Sequence, residues 1–534
     1  MTFSNTLTYN NYNSFFFNFV TPKDVISVIR FLKNTNSTGY DDVSIKVLKY
    51  VAEIIAPILS HIINACVEDG IFPTALKTSI IKPLFKKDDR ENLSCYRPIA
   101  LISVFSKIIE KVIYNNLYNY FEKFNIFAAE QKGFRKNKSI NLAIYEFLFR
   151  VFTNVDKKIP VTALFMDISK AFDFVRHDLL ITKLYTYGIR GKTLDLIKSF
   201  LFNRTQITQI ERICPKTKNE CVYLSCPRIS NFGVPQGSVL GPLLFLIYIN
   251  DLPRSIKFPM TLFADDSSVI FTCNDINKFE IKINDNLNSI ITWLKSNNLL
   301  INIKKTTIMS FKQRKSLLPP LNINYNGETI KETNSIKFLG LHIDNDLRWR
   351  SHSEYICKKI NKFSYALYML SKVVNQKAVL TAYHGLVSST LRYGIMFWGN
   401  GTKREDIFKA QKKCIRAITK ISNTDCCRPH FKNLKLLTLS SLYIYEIILF
   451  VKTNPDIFNN YLISNRHKTK LSAISSKTAL LSKSVFGMAP KIYNKVPEPL
   501  QNINNIEKFK MELKKILIDK CYYSVHEFLA DNLI

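Results

Sequence analysis

The sequence predicts an α+β fold, and three observations carry that expectation. Short apolar runs suited to strands, residues 161–166 and the two segments flanking Asp265-Asp266, abut acids. Longer stretches carry apolar residues at helical spacing, as in 21–68 and 353–419. Hydrophobic residues make up 46% of 534, enough for a substantial core, which excludes wholesale disorder. The length is that of about three or four domains.

Lys plus Arg number 75 against 42 Asp plus Glu, a net charge of +33 spread along the chain. Such an excess implies a polyanionic partner and salt-dependent binding. A membrane surface is the competing partner, but no long amphipathic basic helix supports it. The longest apolar run, 239–249, is too short to span a bilayer and is broken by Gly241-Pro242. The N-terminus shows no basic-then-apolar signal pattern, so no membrane association is expected. Eleven cysteines without a C-x-x-C pair point to free thiols in a reducing, intracellular compartment, nuclear or cytoplasmic. Cys426-Cys427 with His430, near Cys414, fits no zinc-ligand spacing.

In chain order, residues 1–20 are rich in Asn, Phe and Tyr without periodicity and are expected to be a disordered lead-in. Residues 21–68 read as helices, with Pro22 in a first turn and a break at Ser37-Thr38-Gly39. Residues 79–85 and 96–99 read as a basic hairpin around a charged turn. Lys86 and Arg97 on it suit the phosphates of a triphosphate, or are ordinary surface cations. An amphipathic helix follows over 106–121. The loop 131–138, Gln-Lys-Gly-Phe-Arg-Lys-Asn-Lys, holds Phe134 among Lys132, Arg135 and Lys136. That mixture suits single-strand binding by stacking and phosphate neutralisation, or a solvated loop. Gly233-Val234-Pro235-Gln236-Gly237 opens an apolar helix, and Gln236 offers a neutral donor and acceptor to a base or sugar. Residues 276–295 read as a helix, 302–311 as a strand carrying Lys304 and Lys305, and 338–343 as a strand pair turning at Gly340. No fixed-period repeat or long low-complexity linker appears.

The chemistry concentrates on three acids. Asp265 and Asp266 lie between the apolar segments Met260–Phe263 and Val269–Phe271, a hairpin with the acids at its turn. A solvated Asp-Asp turn is the ordinary reading of such a pair. Asp167, at the end of the run 161–166, adds a third hard oxygen donor from another strand end. Such a set suits magnesium, which favours carboxylates plus substrate phosphates over a closed protein cage. Two such ions about 4 Å apart drive in-line nucleotidyl displacement.

In this order the motifs resemble a reverse transcriptase, and more narrowly the polymerase of jockey-like non-long-terminal-repeat retrotransposons. The matching runs are S-C-Y-R-P-I-A-L-I-S-V-F-S-K-I-I-E-K-V-I, A-L-F-M-D-I-S-K-A-F-D-F-V, G-V-P-Q-G-S-V-L-G-P-L-L-F-L-I-Y-I-N-D-L-P and F-A-D-D. N-I-K-K-T, K-F-L-G-L-H-I-D and L-R-Y-G-I-M-F-W-G follow. The resemblance implies a right-hand polymerase: fingers and the start of the palm over 21–160, palm over 161–345, helical thumb over 346–424, and a C-terminal extension over 425–534. The reverse transcriptase domain itself would span about 75–345. It implies Asp167, Asp265 and Asp266 as catalytic metal ligands for two Mg2+ ions, with Mn2+ as substitute. Phe172 would exclude a ribose 2′-hydroxyl, where a core phenylalanine is the ordinary alternative. Gln236 would position the nucleotide and template, and Arg97 would grip phosphates. Lys305, or Lys304 in its place, would protonate pyrophosphate. Arg135, Lys136 and Gly340 would meet template and primer. The implied partners are an RNA template, a DNA primer or nicked target DNA, and deoxynucleoside triphosphates. Relatives carry an endonuclease domain upstream; only about 20 residues precede the match here, too few for a domain. This chain is therefore expected to lack that activity, with a decayed nucleic-acid-binding remnant as the alternative to a working enzyme.

Overall fold

The computed structural model describes residues 13–213, 220–311, 321–325, 327–458, 462–465, 468–472 and 474–531. Its first strands are β1 (Thr78–Phe85), β2 (Tyr96–Ile102), β3 (Val161–Ser169), β4 (Arg204–Ile213), β5 (Glu220–Leu224) and β6 (Arg228–Ser230). After them come β7 (Met260–Phe263), β8 (Asp266–Thr272), β9 (Leu300–Ile301) and β10 (Thr307–Phe311). The last strands used here are β11 (Asn324–Tyr325), β12 (Glu328–Thr329), β13 (Lys331–Glu332), β14 (Ser335–Phe338) and β15 (Leu341–Asp344). They build two principal sheets, one ordered β2-β1-β4-β5 and one ordered β13-β10-β3-β8-β7.

The second sheet positions the acids. Its pleat sends alternate side chains of β3 to opposite faces. Leu164, Met166 and Ile168 enter one hydrophobic core, while Val161, Ala163 and Phe165 enter another. The partner β8 divides likewise, Val269 and Phe271 to the first core and Ile270 to the second. A strand buried on both faces reads as an unbroken apolar run, which is why 161–166 has no alternation. Only the strand ends emerge, and the acids stand there.

Helices cover both faces. The first core gathers α1 (Pro22–Phe31), α2 (Ile45–Tyr50), α3 (Ala52–Asp69) and α4 (Val104–Lys123). Helix α5 (Ile140–Asp156) supplies Ile144, Phe147 and Val151 to the second core. Helices α6 (His177–Thr186), α7 (Gly191–Leu201), α8 (Gly241–Tyr248) and α9 (Phe279–Ser296) return to the first. Helix α10 (Arg350–Val373) and the helices after it join the second core. The α+β expectation is met, with the two principal sheets in the first two-thirds and a mainly helical C-terminal part that carries one short hairpin, Leu462–Asn465 with Lys468–Leu471. Thr21 and Asp24 form a reciprocal capping box at α1, which fixes its start next to Pro22. Buried Lys183 of α6 donates to Asp251 at 2.7 Å and lies over the Trp293 ring, tying α6 to α9. No helix among the described residues is long and apolar enough to cross a membrane.

Two expectations are corrected. Residues 1–12 of the supposed lead-in lie outside the described residues, but within 13–20 Phe15 and Val20 are buried against the fold. Phe15 sits edge-on to Tyr120 at 5.4 Å, and the Val20 backbone exchanges two hydrogen bonds with the Asn64 side chain. The strand expected over 302–311 begins only at Thr307. Thr306 N–H turns back to the Asn302 carbonyl at 2.8 Å, so Lys304 and Lys305 fall in the preceding turn.

Candidate active site at the end of the central sheet

The hairpin β7–β8 closes through two residues, Ala264 and Asp265, because Phe263 pairs directly with Asp266. Asp266 is therefore the first residue of β8, whereas the sequence placed both acids in the turn. The consequence is geometric: Asp266 stands directly opposite Asp167 in the β3–β8 register. Side chains at directly opposed positions share a face, with Cβ atoms about 5 Å apart. Asp265 projects from the neighbouring turn position, so three carboxylates converge on one sheet end.

Burial first, and then the neighbouring acids, act on Asp266. It keeps a solvent-facing edge, yet surrounding protein strips water from the carboxylate, and Asp265 and Asp167 add negative charge. Together these push its pKa up to about 6, against an opposing pull from the Lys86 ammonium. A second cation meets the cluster directly: Lys305 Nζ lies 3.1 Å from Asp167 Oδ2. The turn bearing Lys305 is held there because Asn302 N–H donates to the Asp167 carbonyl at 2.8 Å. Lys86 and Lys305 are thus brought to the acids. Arg97 stands on β2 opposite Leu84, exposed on the same hairpin as Lys86.

Among the described residues no group of three or more His, Cys, Asp or Glu side chains is drawn together closely enough to hold a metal ion by itself. The donor set nevertheless fits hard divalent cations. It is all carboxylate, open on one side, and carries excess negative charge that lysines now counter. The remaining positions of such a site are those that phosphate oxygens would fill.

Phe172 and the Pro-Gln-Gly loop that carries Gln236 meet in the segment after β3. The Phe172 ring stacks on Phe245 of α8 at 4.7 Å and meets the edge of Phe134 at 6.4 Å. Its carbonyl accepts from Val234 N–H at 2.8 Å, which sews the Pro-Gln-Gly loop to the segment after β3. Gln236 Nε2 donates to Asp173 at 2.8 Å, and its carbonyl accepts from Ala100 N–H of β2 at 2.8 Å. Burial raises the Asp173 pKa, opposed by that amide donor. The loop thus joins the basic hairpin to the central sheet.

Arg135 corrects the expectation that it faces a nucleic acid. Its guanidinium clamps Glu122 through two hydrogen bonds, at 3.0 and 2.7 Å, and donates to the Ala128 carbonyl at 3.1 Å. Only 9% of the side chain is exposed. Burial alone would raise the Glu122 pKa, but Arg135 and the Tyr118 hydroxyl outweigh it and hold the carboxyl below its usual range. Lys136 is exposed, with its ammonium 5.3 Å from the Tyr118 ring centre. Gly340 has a structural account of its own. Leu339 and Gly340 both have positive φ in the two-residue turn between β14 and β15. A Cβ on Gly340 would also lie 2.8 Å from the Tyr393 ring.

Sequence reasoning missed Glu110. It is fully buried in α4, where it accepts from Val239 N–H at 2.7 Å and Leu240 N–H at 3.2 Å at the entrance to α8. Ser106, one turn earlier, donates to it at 2.9 Å. A glutamate on the apolar face of S-K-I-I-E-K-V-I was the available signal.

Residues 85–343 match the family described as reverse transcriptase (RNA-dependent DNA polymerase). The chain is 28% identical over 420 residues to the probable RNA-directed DNA polymerase from transposon BS of Drosophila melanogaster, covering 74% of this chain and 44% of that one. It is 25% identical over 415 residues to the RNA-directed DNA polymerase from mobile element jockey of the same species, covering 75% and 44%. It thus spans less than half the length of these relatives. Among solved structures, Candida albicans telomerase in complex with a fragment of telomeric RNA is loosely similar. Its TM-score is 0.36 at 12% identity, over 83% of this chain and 68% of that one. Residues 85–343 thus match the reverse transcriptase family, and the chain is similar to the RNA-directed DNA polymerases of transposon BS and of mobile element jockey.

Proposed function

We propose that this chain is an RNA-templated DNA polymerase that adds deoxynucleotides to a primer 3′-hydroxyl. The carrying observation is the direct opposition of Asp167 and Asp266 across two strands, with Asp265 on the adjoining turn. In the reaction the primer 3′-oxygen forms a bond to the α-phosphorus, the bond to the bridging oxygen breaks, and pyrophosphate leaves. Asp167, Asp265 and Asp266 would hold two Mg2+ ions, or Mn2+ in their place, which supply Lewis-acid charge for the entering and departing oxygens. Lys86 lies where it can bind the triphosphate, with Arg97 further along the same hairpin. Lys305, paired with Asp167 rather than free like an ordinary surface lysine, is better placed than Lys304 to give a proton to the leaving group. Phe172 forms the floor against which a ribose would lie, and Gln236 aligns the nucleotide from the loop above it. Lys136, exposed and with no carboxylate partner among the described residues, remains a template or primer contact. On this reading 21–160 serves as fingers and the start of the palm, 161–345 as palm, 346–424 as helical thumb, and 425–534 as a C-terminal extension. RNA template, DNA primer and deoxynucleoside triphosphates are the partners.

Primer extension on poly(rA)–oligo(dT) with Mg2+ tests the reading. Incorporation of dTTP by the wild type, abolished in Asp265→Asn with template–primer binding retained, supports it. Duplex binding without incorporation in either metal would instead leave a nucleic-acid-binding remnant.

A further inference from the structure

The loop expected to bind single strands is built against the catalytic hairpin instead. Leu262 N–H donates to the Glu130 carbonyl at 3.0 Å, and Lys132 N–H donates to the Leu262 carbonyl at 2.8 Å. These bonds lay Gln131 beside β7 as a parallel bridge to Leu262. The Gln131 side chain, 1% exposed, then reaches the turn itself. Its Oε1 accepts from Gly133 N–H at 2.9 Å and from Ala264 N–H at 3.4 Å. Gly133 completes the contact, for a Cβ there would lie 2.4 Å from the Ala264 nitrogen. Two ion pairs anchor the loop from behind, Lys132 to Glu146 at 2.8 Å and Arg135 to Glu122 at 2.7 Å.

What the loop braces is a strained position. Ala264 has φ +59°, a left-handed conformation unfavourable for a residue with a Cβ. Its N–H belongs to the peptide joining Phe263 to Ala264, so holding that peptide together with the left-handed Ala264 backbone constrains the turn that carries Asp265. Gln131 Nε2 is buried without a hydrogen-bond partner among the described residues. Keeping a half-satisfied amide in the interior costs stability that an apolar residue would not. The acceptor on the same amide is what the turn uses.

We propose that Gln131 is a positioning residue for the Asp265 turn, and that loop 130–134 is the rigid brace of the proposed polymerase site. The inference rests on the polymerase reading for its effect on rate, but the brace itself is readable without it. A carboxylate displaced by about 1 Å from its working position loses on the order of 100-fold in rate.

The test uses the full chain with Gln131→Met, which keeps volume and removes the acceptor, and Gln131→Asn, which keeps an amide one methylene shorter. In primer extension on poly(rA)–oligo(dT), the Met variant loses about 100-fold in kcat. KM for dTTP and template–primer Kd move by less than about threefold, and the Asn variant falls between Met and wild type. Hydrogen exchange of the peptide covering 260–268 reads the brace without activity, and exchange at Ala264 speeds up in the Met variant. Should the Met variant fail to melt cooperatively, the Asn variant carries both measurements. A Met variant as active as wild type with unchanged exchange overturns the proposal, as does a Met variant no worse than Asn. If the wild type itself incorporates nothing, the polymerase reading fails, and the exchange result alone decides whether Gln131 holds the turn.

Discussion

Asp266 faces Asp167 directly across the β3–β8 ladder, so two carboxylates occupy a cross-strand pair position in which like charges repel. The fold tolerates this because Lys305 and Lys86 stand near, but neither removes the repulsion: the Asp266 pKa still rises to about 6.

Neutralising one member of that pair therefore separates stability from chemistry. In metal-free buffer at neutral pH, Asp266→Asn raises stability by about 0.5–1 kcal/mol. Urea unfolding of the two proteins measures it. The same variant loses primer extension by more than about 100-fold. A variant that is both less stable and fully active would contradict the placement of the acids.

Phe172 has a packing role and a proposed selective one, and they can be told apart. Its ring stacks on Phe245 and is only partly buried. Phe172→Ala costs about 2 kcal/mol, below the value for a fully buried ring. If the ring also excludes a 2′-hydroxyl, incorporation of UTP relative to dTTP rises by about 10–100-fold. Competition between the two nucleotides on one template reads that ratio, and an unchanged ratio reduces Phe172 to packing.

Asp156 gives the structure a pH-dependent fastening. At the end of α5 it accepts from Thr478 N–H at 2.8 Å and Lys477 N–H at 3.0 Å, which joins α5 to a segment more than 300 residues away. Burial opposes ionisation there, but the hydrogen bonds prevail and hold the carboxyl below its usual range. A depressed folded pKa gives stability that is complete above the unfolded value of about 3.9 and is lost as pH falls through the folded value. Asp156→Asn should melt lower than wild type at pH 7, by the equivalent of about 2 kcal/mol. The gap should close below pH about 4. A gap independent of pH would show that the charge is not what fastens the segment.

Most of the site was legible because its signals are local. The apolar run ending at Asp167 and the hairpin around Asp265 follow from strand periodicity and a two-residue turn. Phe172 and the role of Gln236 came only from the resemblance to reverse transcriptases, for the residues alone read as a core phenylalanine and a loop amide. What failed was partnership. Arg135 lies in a basic, aromatic loop and looks like a phosphate ligand until Glu122, on the preceding helix, takes its guanidinium. Gln131 and Gly133 looked like ordinary loop residues, because their contact, Ala264, is some 130 positions away.

The sequence by itself determined that this protein is α+β, basic, and built around three acids at strand ends, since composition and short-range periodicity are written residue by residue. Tertiary structure alone decided that Asp266 rather than Asp265 opposes Asp167, that Lys305 rather than Lys304 meets it, and that the basic loop braces the turn. Register and ion-pair choice are set by which distant backbone amides and charges arrive at the same place. That depends on how two cores close around one sheet, a balance of burial and backbone hydrogen bonding that no local window of residues contains.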